Sequence, residues 1–335
     1  MPNIKDVAKV AGVSYTTVSH VLNNTRPVSD QARRSVQDAM RHLNYVPSAV
    51  ARSLRRQATN TFGLLLTTTE RPFFAELARG IEEVCFRHHY AVILCHSYDD
   101  TARQDTYLQT LLEKRVDGLI VAAVGDPEVV GHRLRSVPVP IVLVDRHVRD
   151  VEAVTIAVDH EVAAYLATQH LLELGHRLIG CIAGPASITV FPLRLAGYRR
   201  ALAEAGITPE RRWIAEVASL TMENGYTATR ALLGNKELTA IFASSDILAI
   251  GALRSAAERG ISVPRELSII GFDGVEIGRY LTPALTSIAQ PTRSLGELAA
   301  TSLLECIRDG GYRLNRRLTL PPKLLIREST GPAPS

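Results

Sequence analysis

The sequence predicts a small all-α headpiece followed by an α/β core of two doubly wound parallel-sheet lobes. Three observations carry that expectation. Positive charge is concentrated at one end: residues 1–60 hold nine Lys and Arg against three Asp, while the whole chain of 335 residues is only +4. The same segment shows three short helical patterns broken by turns. From residue 61 onward, apolar runs of strand length alternate with amphipathic stretches, the signature of repeated βα units.

In the headpiece, Asn3 is a good N-cap, and Ile4, Val7, Ala8 and Ala11 follow at one-face spacing until Gly12 stops the helix. Ser14 caps a second helix with Val18, Val21 and Leu22 turned inward, and Ser29 caps a third reaching about Leu43 with Val36, Met40 and Leu43 inward. Helix, glycine-containing turn and helix make a helix-turn-helix. The outer face of the second helix then carries Tyr15, Thr16, Ser19 and His20, short or planar donors and acceptors suited to base edges and phosphates. An ordinary solvated face would carry Lys and Glu, and this one carries neither. A basic domain joined to a neutral remainder is the footprint of a double-stranded DNA binder.

The core runs are FGLLL, AVILC, GLIVAAV, PIVLV, VTIAV, IGCIAG, AIFAS and SIIGF. About 260 residues is much for one sheet, so two similar lobes are expected. Ligands of open parallel sheets bind beyond the carboxyl ends of strands. There the sequence places Arg71-Pro72-Phe73-Phe74, Asp145-Arg146, Asp159, Ser245-Asp246 and Asp273, with Arg194 as a further donor. Any single aspartate could be the N-cap of the next helix. As a set, carboxylates and arginines against an aromatic wall describe a site for a small polyhydroxyl molecule, its hydroxyls donating to carboxylates and accepting from guanidinium groups.

The stretches IKDVAKVAGVSYTTVSHVLN and LNYVPSAVARSL resemble the headpiece of the LacI/GalR family of bacterial repressors, most similar to the purine and ribose repressors. The likeness continues through EKRVDGLIV, GPASITVFPLRLAGY, SSDILAIGAL, ISVPRELSIIGFDGVE and LTPALTSIAQP, so it covers nearly the whole chain. It implies a helix-turn-helix domain over 1–46, a hinge helix and linker over 47–60, and a periplasmic-binding-protein-like core over 61–330. The core would cross between lobes three times, giving an N-lobe of about 61–158 and 291–318 and a C-lobe of about 159–290 and 319–330. Tyr15, Thr16 and His20 would contact bases, with Thr17, Ser19 and Arg26 nearby, and a homodimer would read a palindromic operator. In PSAVARSLRR (Pro47 to Arg56), Leu54 would wedge between base pairs in the minor groove, Ala51 would sit near its floor, and Arg52, Arg55 and Arg56 would lie near phosphates.

The resemblance also implies a sugar-type site at Phe73, Phe74, Asp145, Arg146, Arg194, Asp273 and Gln290. The chain departs from that pattern at Arg71, where sugar binders often place an amide, and at Leu220, where an aromatic wall residue is replaced. Ile188 and Val190 replace polar residues that hold the base in the purine repressor, which argues against a purine. Arg71, if turned inward, would suit a sugar acid or sugar phosphate. Whether ligand releases or strengthens DNA binding stays open.

Enzyme classes are disfavoured. There is no G-x-G-x-x-G after a strand, no P-loop, no H-E-x-x-H and no G-x-S-x-G, so no cofactor and no metal are expected. The ten histidines, His88, His89 and His160 among them, lack metal spacing and are expected at the surface or at helix ends. Cys85, Cys95, Cys181 and Cys306 are expected as buried free thiols. No apolar run approaches a membrane span, and MPNIKDVAKV lacks the uncharged core of a signal peptide, so a cytoplasmic protein is expected. The tail STGPAPS has no leucine heptads, so no assembly beyond a dimer is expected.

Overall fold

Asn3 opens the first helix, α1 (Ile4–Ala11), through a capping box: its side chain accepts from the amides of Lys5 and Asp6, and the Asp6 carboxylate accepts from the Asn3 amide. Gly12, at φ 66°, takes the left-handed conformation that ends the helix. Ser14 Oγ accepts from the Thr17 amide at 3.0 Å and starts α2 (Tyr15–Asn23); Ser29 caps α3 (Asp30–His42) through the Ala32 amide at 3.3 Å. Val7, Val18 and Val36 are fully buried between the three helices, and Val21, Leu22, Met40 and Leu43 pack partly buried around them. The periodicity of the sequence therefore assigns this small core correctly.

These details come from a computed structural model that describes residues 2–23, 25–46, 58–98, 100–122, 127–145, 148, 151–234, 237–310 and 315–334. The expected hinge stretch Pro47 to Arg56, with Ala51, Arg52, Leu54, Arg55 and Arg56, lies outside the described residues, and so does Arg146. The chain divides into two compact units, Met1–Thr59 and Asn60–Ser335.

The second unit holds two six-stranded sheets. The first is built from β1 (Thr61–Leu66), β2 (Ala91–His96), β3 (Gly118–Ala122), β4 (Ile141–Val144), β5 (Val154–Val158) and β11 (Arg316–Leu320), all parallel, in the order β11-β5-β4-β3-β1-β2. The second is built from β6 (Ile179–Ala183), β7 (Ile214–Glu216), β8 (Ala240–Ala243), β9 (Ser268–Asp273), β10 (Thr286–Ala289) and β12 (Lys323–Leu325), in the order β12-β10-β9-β8-β6-β7. Only β12 runs antiparallel to its neighbour. The eight apolar runs become β1 to β6, β8 and β9. The other four strands escape sequence reading for local reasons. β7 and β12 are three residues long, β11 opens on Arg316-Arg317 at a sheet edge, and β10 buries Thr286 and Ser287 completely.

Among the described residues eight α-helices cover the sheets: α4 (Pro72–Arg87), α5 (Thr101–Glu113), α6 (Pro127–Arg135), α7 (His160–Glu173), α8 (Val190–Glu204), α9 (Met222–Leu232), α10 (Asp246–Glu258) and α11 (Thr292–Arg308). The chain passes from the first sheet to the second after β5, returns after β10 through α11, and passes over again between Leu320 and Lys323. That last passage comes slightly later than the expected boundary at 318. α11 lies directly on α4, which begins at the cleft. Only glycine permits this approach: a Cβ at Gly80 would stand 2.3 Å from the Arg293 carbonyl oxygen, and one at Gly296 would stand 2.3 Å from that of Leu77. All four cysteines are buried free thiols. Among the described residues no helix is long and apolar enough to cross a membrane.

Candidate functional site

Two surfaces carry the expected functional residues, one in each unit. In the headpiece, Tyr15 is 43% exposed at the start of α2, and Thr16 and Arg26 are exposed. Thr17 is half-buried, its hydroxyl 2.8 Å from Ser14 Oγ. His20 is half-buried, with Nδ1 2.8 Å from Thr25 Oγ1. Ser19 corrects the expectation of an outward side chain: it is only 7% exposed, and Asn23 Nδ2 donates to its carbonyl oxygen at 2.8 Å. The reason is angular. At about 100° per residue, position 19 lies roughly 60° from Leu22, on the shoulder of the apolar stripe rather than opposite it.

In the core, a cleft of about 540 Å³, partly open to solvent, gathers residues from distant stretches of chain. The start of α4 brings Arg71, Phe73 and Phe74; the end of β4 brings Asp145; α8 brings Arg194; and Leu220 precedes α9. Asp273 ends β9 and Gln290 follows β10. Strand ends converge on the ligand side of both sheets, as open α/β folds dictate. Asp145 and Asp273 adopt φ of 57° and 117°, conformations that cost a non-glycine residue free energy and are held by the surrounding packing.

Arg194 organises the floor. It is 3% exposed, its guanidinium stacks 3.7 Å above the Phe272 ring and 5.0 Å from that of Phe191, and it donates to the Ser244 carbonyl oxygen at 2.6 Å. Its Nη1 also lies 3.4 Å from Asp273 Oδ1. Its Nε donates to His160 Nδ1 at 3.2 Å, and His160 Nε2 lies 2.5 Å from Asp145 Oδ1. A guanidinium only donates, so Nδ1 must accept and Nε2 carries the proton that goes to Asp145. Arg194, His160 and Asp145 thus form one chain of directed hydrogen bonds from the second lobe to the first.

Asp273 accepts from Ser245 Oγ at 2.9 Å and from Gln290 Nε2 at 2.8 Å. Burial raises its carboxyl above the usual range, opposed by Arg194, Ser245 and Gln290. Burial pulls the Arg194 guanidinium down, and the charges of Asp273, Asp145 and Asp246 hold it up.

Two expected ligand residues stand elsewhere. Asp159 is exposed and accepts from the Val162 amide at 3.0 Å; it is the N-cap of α7, not part of the cleft. Asp246 is fully buried beneath the cleft, accepting from the Val275 amide at 2.7 Å and from Ser287 Oγ at 2.6 Å. It anchors Val275, which lines the cleft, but does not line it itself. Burial first, and then the Asp273 charge, push its carboxyl up to about 8. The cleft also uses Ser245, which the strand-end rule had placed there, and residues that rule did not select: Phe191, Ile247 and Val275 line it, and His160 supports it. Ser245 was readable, since it directly follows the AIFAS run. His160, expected at the surface or a helix end, does begin α7 but is buried; only its partners in space reveal its role. His170 and His176 are buried as well, which burial registers by lowering their basicity. Among the described residues no group of His, Cys, Asp and Glu could hold a metal ion.

A helix-turn-helix unit and a two-lobed core with a polar cleft, carried on one chain, define a DNA-binding regulator with a sensor core. The comparisons agree. Residues 3–48 match the bacterial regulatory proteins of the lacI family, and residues 168–330 match a periplasmic binding protein-like domain. The HTH-type transcriptional repressor PurR of Edwardsiella ictaluri is 43% identical over 100% of this chain and 98% of its own length. The ribose operon repressor of Haemophilus influenzae is 40% identical over 98% of both. Among solved structures, the Lac repressor dimer bound to operator and the anti-inducer ONPF aligns with a TM-score of 0.89 at 28% identity, covering 98% of this chain and 99% of that one. A LacI family regulator from Enterococcus faecium with bound ribose aligns with a TM-score of 0.72 at 32% identity, covering 81% and 99%. The chain belongs to the lacI family of bacterial regulatory proteins. It is a transcriptional repressor with an effector-binding core, not an enzyme.

Proposed function

We propose that this repressor acts as a homodimer on a palindromic operator, and that its operator affinity is set by a small polyhydroxyl effector held between the lobes. The observation that carries this reading is the Arg194–His160–Asp145 chain, because it joins the effector cleft to both lobes. A ligand that contacts Asp145 and Asp273 together favours one lobe arrangement over another. That difference is the coupling free energy to DNA, and it is reciprocal. Tyr15, Thr16 and His20 are the proposed base-reading side chains, with Thr17 and Arg26 at the phosphates. Leu54 is the proposed minor-groove wedge, on the family resemblance alone; Leu54→Ala should weaken operator binding and leave effector affinity unchanged.

The test is to select binding sites for the full chain from random duplex DNA, then titrate the selected duplex at several salt concentrations. An inverted repeat, bound with an affinity that falls steeply with salt, is the expected result. Failure to enrich an inverted repeat would overturn the reading. A second reading, a purine-dependent corepressor, is favoured by the likeness to the repressor PurR. Titration with guanine separates the two, since only the second predicts that it tightens operator binding.

A further inference from the structure

The cleft has two unlike walls. On one, Ser245, Gln290 and Arg194 converge on Asp273, and Arg194 and His160 lead to Asp145. Gln290 is the incomplete member. Its Nε2 is committed to Asp273, but its Oε1 is buried without a hydrogen-bond partner, in a side chain only 7% exposed. A buried acceptor in that state calls for a donor from the ligand. On the other wall, Ile188, Val190 and Phe191 are each more than nine-tenths buried and form a small apolar cluster; Leu220 packs against it and also against the core of the second lobe. Ile247 and Val275 extend the apolar lining. None of these six side chains can donate or accept a hydrogen bond. A ligand hydroxyl turned to them would lose its water and gain no partner.

The charges argue for a neutral ligand. The lining carries two carboxylates, Asp145 and Asp273, and two guanidinium groups, Arg71 and Arg194, so its formal charges balance and leave none for a charged ligand to neutralise. We infer that the effector is an uncharged polyol bearing an apolar, hydroxyl-free substituent, a deoxysugar or an alkyl or aryl glycoside. Its hydroxyls meet Gln290 and Asp273, and its substituent covers Ile188, Val190 and Leu220. This inference rests on the reading of the cleft as the effector site and narrows the class of molecule it takes.

The experiment is calorimetric titration of the full chain with matched pairs: L-rhamnose against L-mannose, L-fucose against L-galactose, and phenyl β-D-glucoside against D-glucose, with D-ribose and guanine alongside. In at least one pair the apolar member should bind about tenfold tighter than its hydroxylated parent, or more. Leu220→Asn, at a half-buried position, should erase that preference by weakening the apolar member of the pair; an unchanged unfolding midpoint certifies its fold. Parents that bind as well as their apolar partners in every pair overturn the inference, as does binding of no pair, or tighter binding of D-ribose or guanine. The same ligands are then added to the operator complex. A pair preference with no change in DNA affinity keeps the inference and removes the effector role. A response to ribose or guanine alone does the reverse.

Discussion

The headpiece and the core solve opposite recognition problems. The headpiece presents Tyr15 and Thr16 to the outside on one short helix and Arg26 just after it, with Val7, Val18 and Val36 completely buried behind that face. The core gathers its polar groups inside, from strand ends and helix starts more than two hundred residues apart between Arg71 and Gln290. A large polyanion is met by an open face, where contacts are few and individually modest. A small molecule must be enveloped, so its contacts are desolvated and each charge needs a built-in partner. Substitutions in the two regions should therefore fail in different ways.

The largest contrast is expected at Arg194. Arg194→Leu strands Asp273 and Asp145 without their cation and should destabilise the core by about 3–5 kcal/mol, read by denaturant unfolding. A loss below about 1 kcal/mol would break the claim that buried charge compensation holds the cleft. Tyr15→Ala should do the converse, weakening binding to the selected operator by about 1–3 kcal/mol with no change in core unfolding. Equal weakening on random duplex DNA would make Tyr15 a phosphate contact instead.

Asp246 sharpens the comparison through pH. Its carboxyl is raised from 3.8 to about 8 in the folded core, so the native state holds a proton that the unfolded chain releases. Core stability from this group is full below about pH 4 and falls as pH rises toward 8, by at most about 1.4 kcal/mol per pH unit. His170 and His176, lowered by burial, contribute the opposite slope around their unfolded range. The difference between the parent chain and Asp246→Asn, measured across that window, isolates the Asp246 part; identical slopes would remove it. The smallest effect belongs to Asp159→Ala. Loss of the α7 cap should cost roughly 0.5–1 kcal/mol and leave sugar binding intact, whereas a cleft ligand would lose affinity.

The helix-turn-helix was legible because its signals are local: caps at Asn3, Ser14 and Ser29, a left-handed Gly12, and an apolar stripe at helical spacing. Ser19 was misplaced only because it sits at the margin of that stripe. The strand-end rule found Asp145 and Asp273 but treated Asp159 and Asp246 as their equals, since all four follow an apolar run. Their fates differ by what lies opposite in space. Asp159 has free helix amides ahead of it, Asp246 has Val275 and Ser287 from another strand connection, and Asp273 has Arg194, Ser245 and Gln290.

The sequence by itself determined the order of elements, the division into a basic headpiece and a two-lobed core, and the family, because periodicity, caps and strand-end motifs are written in neighbouring residues. Only the tertiary structure decided which aspartates face the cleft, that His160 joins Arg194 to Asp145, and that Ile188, Val190 and Leu220 form an apolar part of the same cleft's lining. Those are properties of groups brought together from far along the chain. Burial and hydrogen bonding, which set their charge and direction, exist only once the lobes have packed.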